Sequence, residues 1–398
     1  MAQLRQPRTV REIRVFTAAG ELGLPYLTFG AKKPEAVLAA SVEELIRIGT
    51  EDALTVLEGY AEASADGRWP RVLAAIAKGW DSETERDDFV RRITRLSVPA
   101  DNALIDLGPV ATWESLEFLE LTISGRTSLK GLERLPMLRE IRIYGIERAV
   151  DMNYLGMLRN VSKIALCGLS GEFDLSSLPQ SKQLHDLELV NFASLLNPES
   201  LCRLNLTNLT ISSCRNLPFL AILGGISGLT SLRIRDVQVR PQQLAEVGSA
   251  LQLTALELSG LTIERPPEEA KSDWHVNVDD DEKQAIAKKR VERAWKKRRH
   301  EALIVDVSWI SRMKDLETLT LDANDRVTDF NWLKDLPKLT TLTLQNLGVV
   351  RTLEFLVPLR CLKAAYLQNV PANVPVPESV KRKVKEIQTA IYRVEDQL

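Results

Sequence analysis

Four cysteines and three histidines in 398 residues are few, and their placement is more restrictive than their number. Cys167, Cys202, Cys214 and Cys361 are far apart with no CxxC pair, which argues against a zinc site or a disulfide framework and favours a reducing compartment. His185, His275 and His300 stand in no HExxH or Cys/His signature, and there is no GxSxG elbow and no GxxxxGK[ST] phosphate loop. Aromatic residues make up only 6% of the chain. No apolar run approaches the roughly 18 to 20 residues that span a bilayer, and the polar, basic stretch from Met1 to Arg14 has no signal-peptide core. A formal net charge of −2 gives no global pull toward nucleic acid or membrane, so any such attraction has to be local. The expectation is a cytoplasmic chain with no membrane partner, no metal, no cofactor and no enzymatic activity, because its carboxylates scatter without an isolated pair in an apolar setting.

What the chain has in abundance is a repeated aliphatic pattern. Leu-x-x-Leu-x-Leu, with other aliphatics allowed, starts at Leu116, Leu138, Val161, Leu184, Leu206, Leu229 and Leu253, and resumes at Leu316, Leu339 and Leu362. Successive starts are 22 to 24 residues apart except for one jump of 63. Leu116-Glu-Phe-Leu-Glu-Leu121 and Leu339-Thr-Thr-Leu-Thr-Leu344 are good copies, and Ile93-Thr-Arg-Leu-Ser-Val98 is a weaker one that supplies a first coil. The second and third aliphatics are two residues apart and so share one face of a short strand. The first, with later residues such as Leu132, Leu135 and Leu155, must fill the same interior as the chain returns. A single coil cannot bury that face alone, whereas stacked coils supply one another with a core.

This pattern resembles the leucine-rich repeat over residues 93–370. The resemblance implies an α/β solenoid of about 10 to 11 coils with a parallel strand face, closed by a helical N-terminal module and a C-terminal helix. It also implies a buried polar ladder eight residues after each start. Cys214 and Asn324 fit that slot and Ser124 is a polar stand-in; Ile146, Leu169, Phe192, Val237, Leu261, Leu347 and Val370 fill the others with apolar groups. Cys214 reads as a core residue.

Residues 1–92 read as a mainly helical module and cap. Apolar residues recur at helical spacing around Val37, Val42 and Leu45, again around Ala53 and Val56, and again around Val72 and Ile76. Ser82-Glu-Thr-Glu85 is a capping box opening a fourth helix. The segment Arg71-Val-Leu-Ala-Ala-Ile-Ala-Lys-Gly-Trp80, followed by Asp87-Asp-Phe-Val-Arg-Arg-Ile93, resembles the helical stretch before the repeats of actinobacterial NACHT-type STAND NTPases. That resemblance implies the sensor portion of such a signalling protein without its ATPase domain. Residues 371–398, with Val380, Val384, Ile387, Ile391 and Val394, are predicted to form an amphipathic capping helix.

The jump of 63 equals one coil plus about 40 residues, which places a charged insertion at 264–303. It ends in a basic run containing Lys288, Lys289, Arg290, Arg293, Lys296, Lys297, Arg298 and Arg299, with Trp295 on a narrow apolar stripe. Three readings of it stay open: a solvated excursion, a latch docked on the solenoid, and a contact for nucleic-acid phosphate or another polyanion.

The outward strand positions lie two, four and six residues after each start. In the early coils they carry aromatic and charged groups, the kinds enriched at binding hot spots. Phe118, Glu120, Glu140, Arg142, Tyr144 and Lys163, with Arg233 and Arg235 further on, are the candidate partner-binding residues. The late coils present mostly Thr. The function expected is non-catalytic recognition of a protein partner, as a sensor or adaptor in bacterial signalling or defence. Nucleic-acid or polyanion binding through the insertion is the alternative, as is an immunity-type inhibitor that masks a partner.

Overall fold

A computed structural model of the chain describes residues 27, 35–48, 50, 52–53, 55–56, 94–98, 107, 110–112, 114–123, 127–146, 151–169, 171–214, 220–239, 241–260, 262–263, 306–322, 327–348 and 350–389. The chain divides into two compact units, Met1–Leu206 and Thr207–Leu398. Each is a stack of leucine-rich-repeat coils, and the fold is a leucine-rich-repeat solenoid.

The first unit begins with helix α1 (Glu35–Ile48), which buries Val37, Val42 and Leu45 at helical spacing. The Ser41 hydroxyl is buried there and donates to the Val37 carbonyl at 2.8 Å, so its polar group is satisfied within the helix. The remaining helices predicted for this module, around Val72 to Ala77 and after Ser82, lie outside the described residues, as do Ser124, Leu261 and Asn324. Strands β1 (Arg95–Val98), β2 (Phe118–Thr122), β3 (Glu140–Ile146) and β4 (Lys163–Gly168) follow. After β5 (Glu172–Asp174) comes β6 (Asp186–Val190), and β7 (Ser194–Leu196) pairs with β5 on a separate two-stranded ladder.

The main ladder is parallel and in constant register: Arg95 faces Phe118, Phe118 faces Glu140, Glu140 faces Lys163 and Lys163 faces Asp186. Leu116, Leu138, Val161 and Leu184 are buried as unit starts, and Leu119, Leu121, Ile141, Ile143, Ile164, Leu166, Leu187 and Leu189 are buried on the inner strand face. The chain returns through short 3-10 turns at Leu132–Arg134, Met152–Met157 and Leu175–Ser177, each of which adds a buried Leu. Asp151 and Asp174 open two of these turns by accepting from Asn153 N and Ser176 N.

The second unit holds β8 (Asn208–Ser212), β9 (Ser231–Arg235), β11 (Ala255–Ser259), β13 (Thr318–Asp322), β14 (Thr341–Gln345), β15 (Ala364–Val370) and β16 (Val384–Thr389) in one parallel ladder. Here β10 (Gln238–Val239) and β12 (Thr262–Ile263) form a second two-stranded ladder, beside helix α2 (Pro241–Glu246). Ala255 pairs with Thr318 in the same register as the neighbouring coils, so the 63-residue jump leaves the ladder unbroken. The 264–303 insertion itself lies outside the described residues.

Two expectations change. Residues 384–389 are not helical; they form β16 and pair with β15 through Val384 to Ala365 and Ile387 to Leu367. The edge of β15 carries backbone groups that need partners, and one more parallel strand supplies them. Val380 still packs inside, buried in a 3-10 turn. The predicted positions Ile391 and Val394 lie outside the described residues.

The polar ladder also sits one residue earlier than expected. Seven residues after the unit start, Gly145, Asn191, Ser213, Asp236, Gly260, Asn346 and Asn369 all have φ between 50° and 77°. The strand leaves through a left-handed turn, which Gly and Asn adopt at least cost. The side chains here bridge coils. Asn191 Nδ2 donates to Gly168 O at 2.8 Å, and Asn369 Nδ2 to Asn346 Oδ1 at 2.6 Å. Asn346 Nδ2 donates to Asp322 Oδ1 at 2.7 Å, whose other oxygen accepts from Gly260 N at 3.2 Å. The eighth position is the buried one, filled by Ile146, Phe192, Cys214, Val237, Leu347 and Val370. Leu169 is the exception at 58% exposure; at Gly168 before it, the Phe192 ring stands 2.6 Å from where a Cβ would be.

Candidate functional site

Because strand side chains alternate, burying the second and third aliphatics turns the intervening residues outward. Constant register then aligns them in rows across strands. In the first unit one row runs Arg95, Phe118, Glu140, Lys163, Asp186; the next Glu120, Arg142, Ala165, Glu188; the third Thr122, Tyr144, Cys167, Val190.

Phe118 was expected as an exposed anchor, yet only 8% of it is exposed. The Arg95 guanidinium lies 4.2 Å from its ring centroid and that of Arg142 lies 5.3 Å away, so two cations cover it. The Arg142 guanidinium also reaches Glu140 Oε1 at 2.8 Å and Glu120 Oε2 at 3.9 Å. Burial works against its charge, but the Glu140 bond and the fields of Glu140, Tyr144 and Glu120 outweigh it and hold its pKa above the ordinary value. Lys163 sits between Glu140 at 3.9 Å and Asp186 at 3.8 Å.

Tyr144 is the large apolar side chain that this face leaves open, at 37% exposure. With Arg142, Ala165, Cys167, Glu188 and Val190 it lines a cleft of about 200 Å³. Burial, with help from Glu120, pushes the Tyr144 phenol up, against the opposing pull of Arg142. The Cys167 thiol is likewise raised by burial and by Glu188, so at neutral pH it stays protonated and is a poor nucleophile.

The second unit places Arg233 and Arg235 differently. Both turn to Glu257 on the next strand: Arg235 forks onto its carboxylate with bonds of 2.6 and 2.7 Å, and Arg233 approaches to 3.6 Å. Burial would raise the Glu257 pKa, but the Arg235 bond and charge, Ser259 and Arg233 together depress it. Thr318, Thr320, Thr341 and Thr343 make the rest of this face small and polar. Tyr366, paired with Thr343 and 36% exposed, is an aromatic position that the sequence reading passed over. It was legible, since it stands four residues after the Leu362 start.

The basic run from Lys288 to Arg299, with Trp295, lies outside the described residues. Among the described residues no group of three His, Cys, Asp or Glu side chains is arranged to hold a metal. No helix among them is long and apolar enough to cross a membrane.

No protein-family profile matches the chain, and no curated protein is similar to it. Solved structures of leucine-rich-repeat proteins are similar at low identity. An internalin, InlF, from Listeria monocytogenes is 14% identical with a TM-score of 0.41, covering 81% of this chain and 94% of its own. A leucine-rich-repeat protein from Leptospira interrogans is 16% identical with a TM-score of 0.44, covering 75% of this chain and 72% of its own. TLR13 in its complex with ssRNA13 is 16% identical at a TM-score of 0.44, covering 74% of this chain and 40% of its own.

Proposed function

We propose that this chain is a non-catalytic recognition protein that binds a protein partner on the outward face of β2 to β6. The observation that carries the reading is the open cleft beside Tyr144, set among the charged rows of Glu120, Glu140, Arg142 and Lys163. An exposed aromatic next to an ordered Arg, bordered by polar groups, is the composition of an interface centre. The face is built on a rigid ladder, so little ordering has to be paid for on binding.

The setting we infer is cytoplasmic bacterial signalling or defence, with the chain acting as a sensor or adaptor. The resemblance of Arg71–Ile93 to the segment before the repeats of NACHT-type STAND NTPases supports that setting. An inhibitor that masks its partner would use the same surface. The eight basic residues between 288 and 299 support a second reading, in which that run holds a polyanion.

Capture from host lysate separates the two. The intact chain is compared with a chain lacking residues 266–302 and with a Tyr144→Ala, Arg142→Ala double variant, at low and moderate salt. The first reading expects one discrete protein that survives the deletion and is lost from the double variant. Capture that needs residues 266–302 and fades with salt overturns it in favour of the second.

A further inference from the structure

The Tyr144 cleft has a defined chemistry. It exists because Ala165 is small. Arg142 and Glu188 flank Ala165 on the neighbouring strands, and two strand spacings put them roughly 10 Å apart at the backbone. Arg142 reaches in the other direction onto Glu140, Glu120 and the Phe118 ring, and it also hydrogen-bonds the Tyr144 phenol. Glu188 is left on the cleft wall with no hydrogen bond or ion pair among the described residues. The other acids of this face are engaged: Glu120 and Glu140 with Arg142, Asp186 with Lys163.

Charge over the face favours a cation. Arg95, Arg142 and Lys163 stand against Glu120, Glu140, Asp186 and Glu188, so three positive groups face four carboxylates. Both Glu120 and Glu188 act on Tyr144 to raise its phenol, and Glu188 acts in the same sense on Cys167. Glu188 is the one acid of the cleft lining, and it stands across Ala165 from Arg142. Tyr144, Cys167 and Val190 form one continuous row, which gives an aliphatic stem something to lie on. A volume of about 200 Å³ falls below that of an ordinary small-molecule pocket, which runs to about 300–1,000 Å³, and suits one long side chain.

We propose that the cleft is a receptor for a single arginine side chain of the protein partner, its stem along Tyr144, Cys167 and Val190 and its guanidinium on the Glu188 carboxylate. This rests on the protein-recognition reading and adds the chemistry of one contact to it. The planar guanidinium fits both walls: it forks onto a carboxylate and stacks on an aromatic face. The Arg142 guanidinium on Phe118 is a copy of that second arrangement within the chain itself.

The test uses the intact chain and a capped pentapeptide, Gly-Gly-Arg-Gly-Gly, read by NMR shifts of the Ala165 and Val190 methyl groups. A second peptide replaces arginine with citrulline, which keeps the shape and removes the charge. The expected result is a saturable shift of both methyls with the arginine peptide, about tenfold weaker binding in Glu188→Gln, and none with citrulline. Tyr144→Ala weakens the arginine peptide also, and Ala165→Leu, which fills the cleft, abolishes its effect on Val190. Equal binding of both peptides, an unchanged affinity in Glu188→Gln, or no shift at either methyl overturns the proposal. Partner capture that survives in Glu188→Gln and fails in the Tyr144→Ala, Arg142→Ala variant leaves the recognition reading standing and removes only the arginine contact.

Discussion

The two units carry the same backbone ladder and the same outward rows, yet their faces differ in how far the charges are satisfied internally. In the second unit Glu257 is held by Arg235 and Arg233 together, so two cations and one carboxylate close on themselves. In the first, the corresponding position on β6 is Glu188, whose neighbours on β4 are Ala165 and, one row over, Cys167. Two small residues, Ala165 and Cys167 where the second unit has Arg233 and Arg235, separate a completed face from an open one. An open face in this fold is therefore made as much by what is withheld from a row as by what is placed in it.

The largest effects lie beneath both faces and test whether the comparison concerns surfaces alone. Leu187→Ala in the first unit and Leu342→Ala in the second each remove a fully buried strand side chain. Each should cost about 2–5 kcal/mol in urea-unfolding free energy, because stacked coils collapse poorly around a cavity. Similar losses locate the difference between units on their outward rows. A loss confined to one unit would place it in the packing instead.

Smaller and more pointed is the pair Glu257→Ala and Glu188→Ala. Removing Glu257 strands Arg233 and Arg235 beside each other and should destabilise by about 1 kcal/mol, since the site is partly exposed and solvent screens the pair. Removing Glu188 breaks no hydrogen bond or ion pair among the described residues and should change the unfolding free energy by no more than about 0.5 kcal/mol. Equal losses would erase the distinction drawn between the faces.

The same comparison has a pH dependence whose sign is fixed. Glu257 has a folded pKa depressed below its ordinary value of 4.5. Its stabilising share is therefore fully present above that ordinary value and is lost as pH falls through the lower folded value. The stability gap between the parent and Glu257→Gln should be constant from neutral pH down to about 5 and shrink on further acidification. Chemical unfolding at pH 7, 5 and 3.5 measures it. A gap that widens in acid would mean that Arg235 does not hold the carboxylate as the geometry indicates.

Much of this was legible in the sequence, since constant spacing alone sets the register and hence the rows. Glu257 stands four residues after Leu253 and Arg233 four after Leu229, so their pairing follows from the repeat by cross-strand arithmetic. What escaped was whatever depends on rotamers or on competition. Phe118 reads as an exposed aromatic until Arg95 and Arg142 are seen to fold over it. The Val380, Val384, Ile387 spacing suits a helix face and a final short coil alike; the unpaired edge of β15 decides between them, and that edge is visible only once the stack is built. The left-handed exit turns were written plainly as Gly, Asn, Asp and Ser at the seventh position, one residue before the slot where a polar group was sought.

The smallest expected effect is spectroscopic and bears on the open face alone. Tyr144 has its phenol raised by burial first and by Glu120 next, with Glu188 a lesser contributor. Ionisation of this tyrosine, followed as the difference in absorbance near 295 nm between the parent and Tyr144→Phe, should have its midpoint above the ordinary tyrosine value of 10.0. Glu120→Gln should bring it down further than Glu188→Gln does, because the Glu120 field is the larger of the two. Both shifts should shrink at high salt, since these carboxylates border solvent. A Tyr144 whose ionisation ignores both carboxylates would mean that their fields do not reach the cleft. The first unit's face would then be as balanced as the second's, with Ala165 leaving only an empty space between two charges.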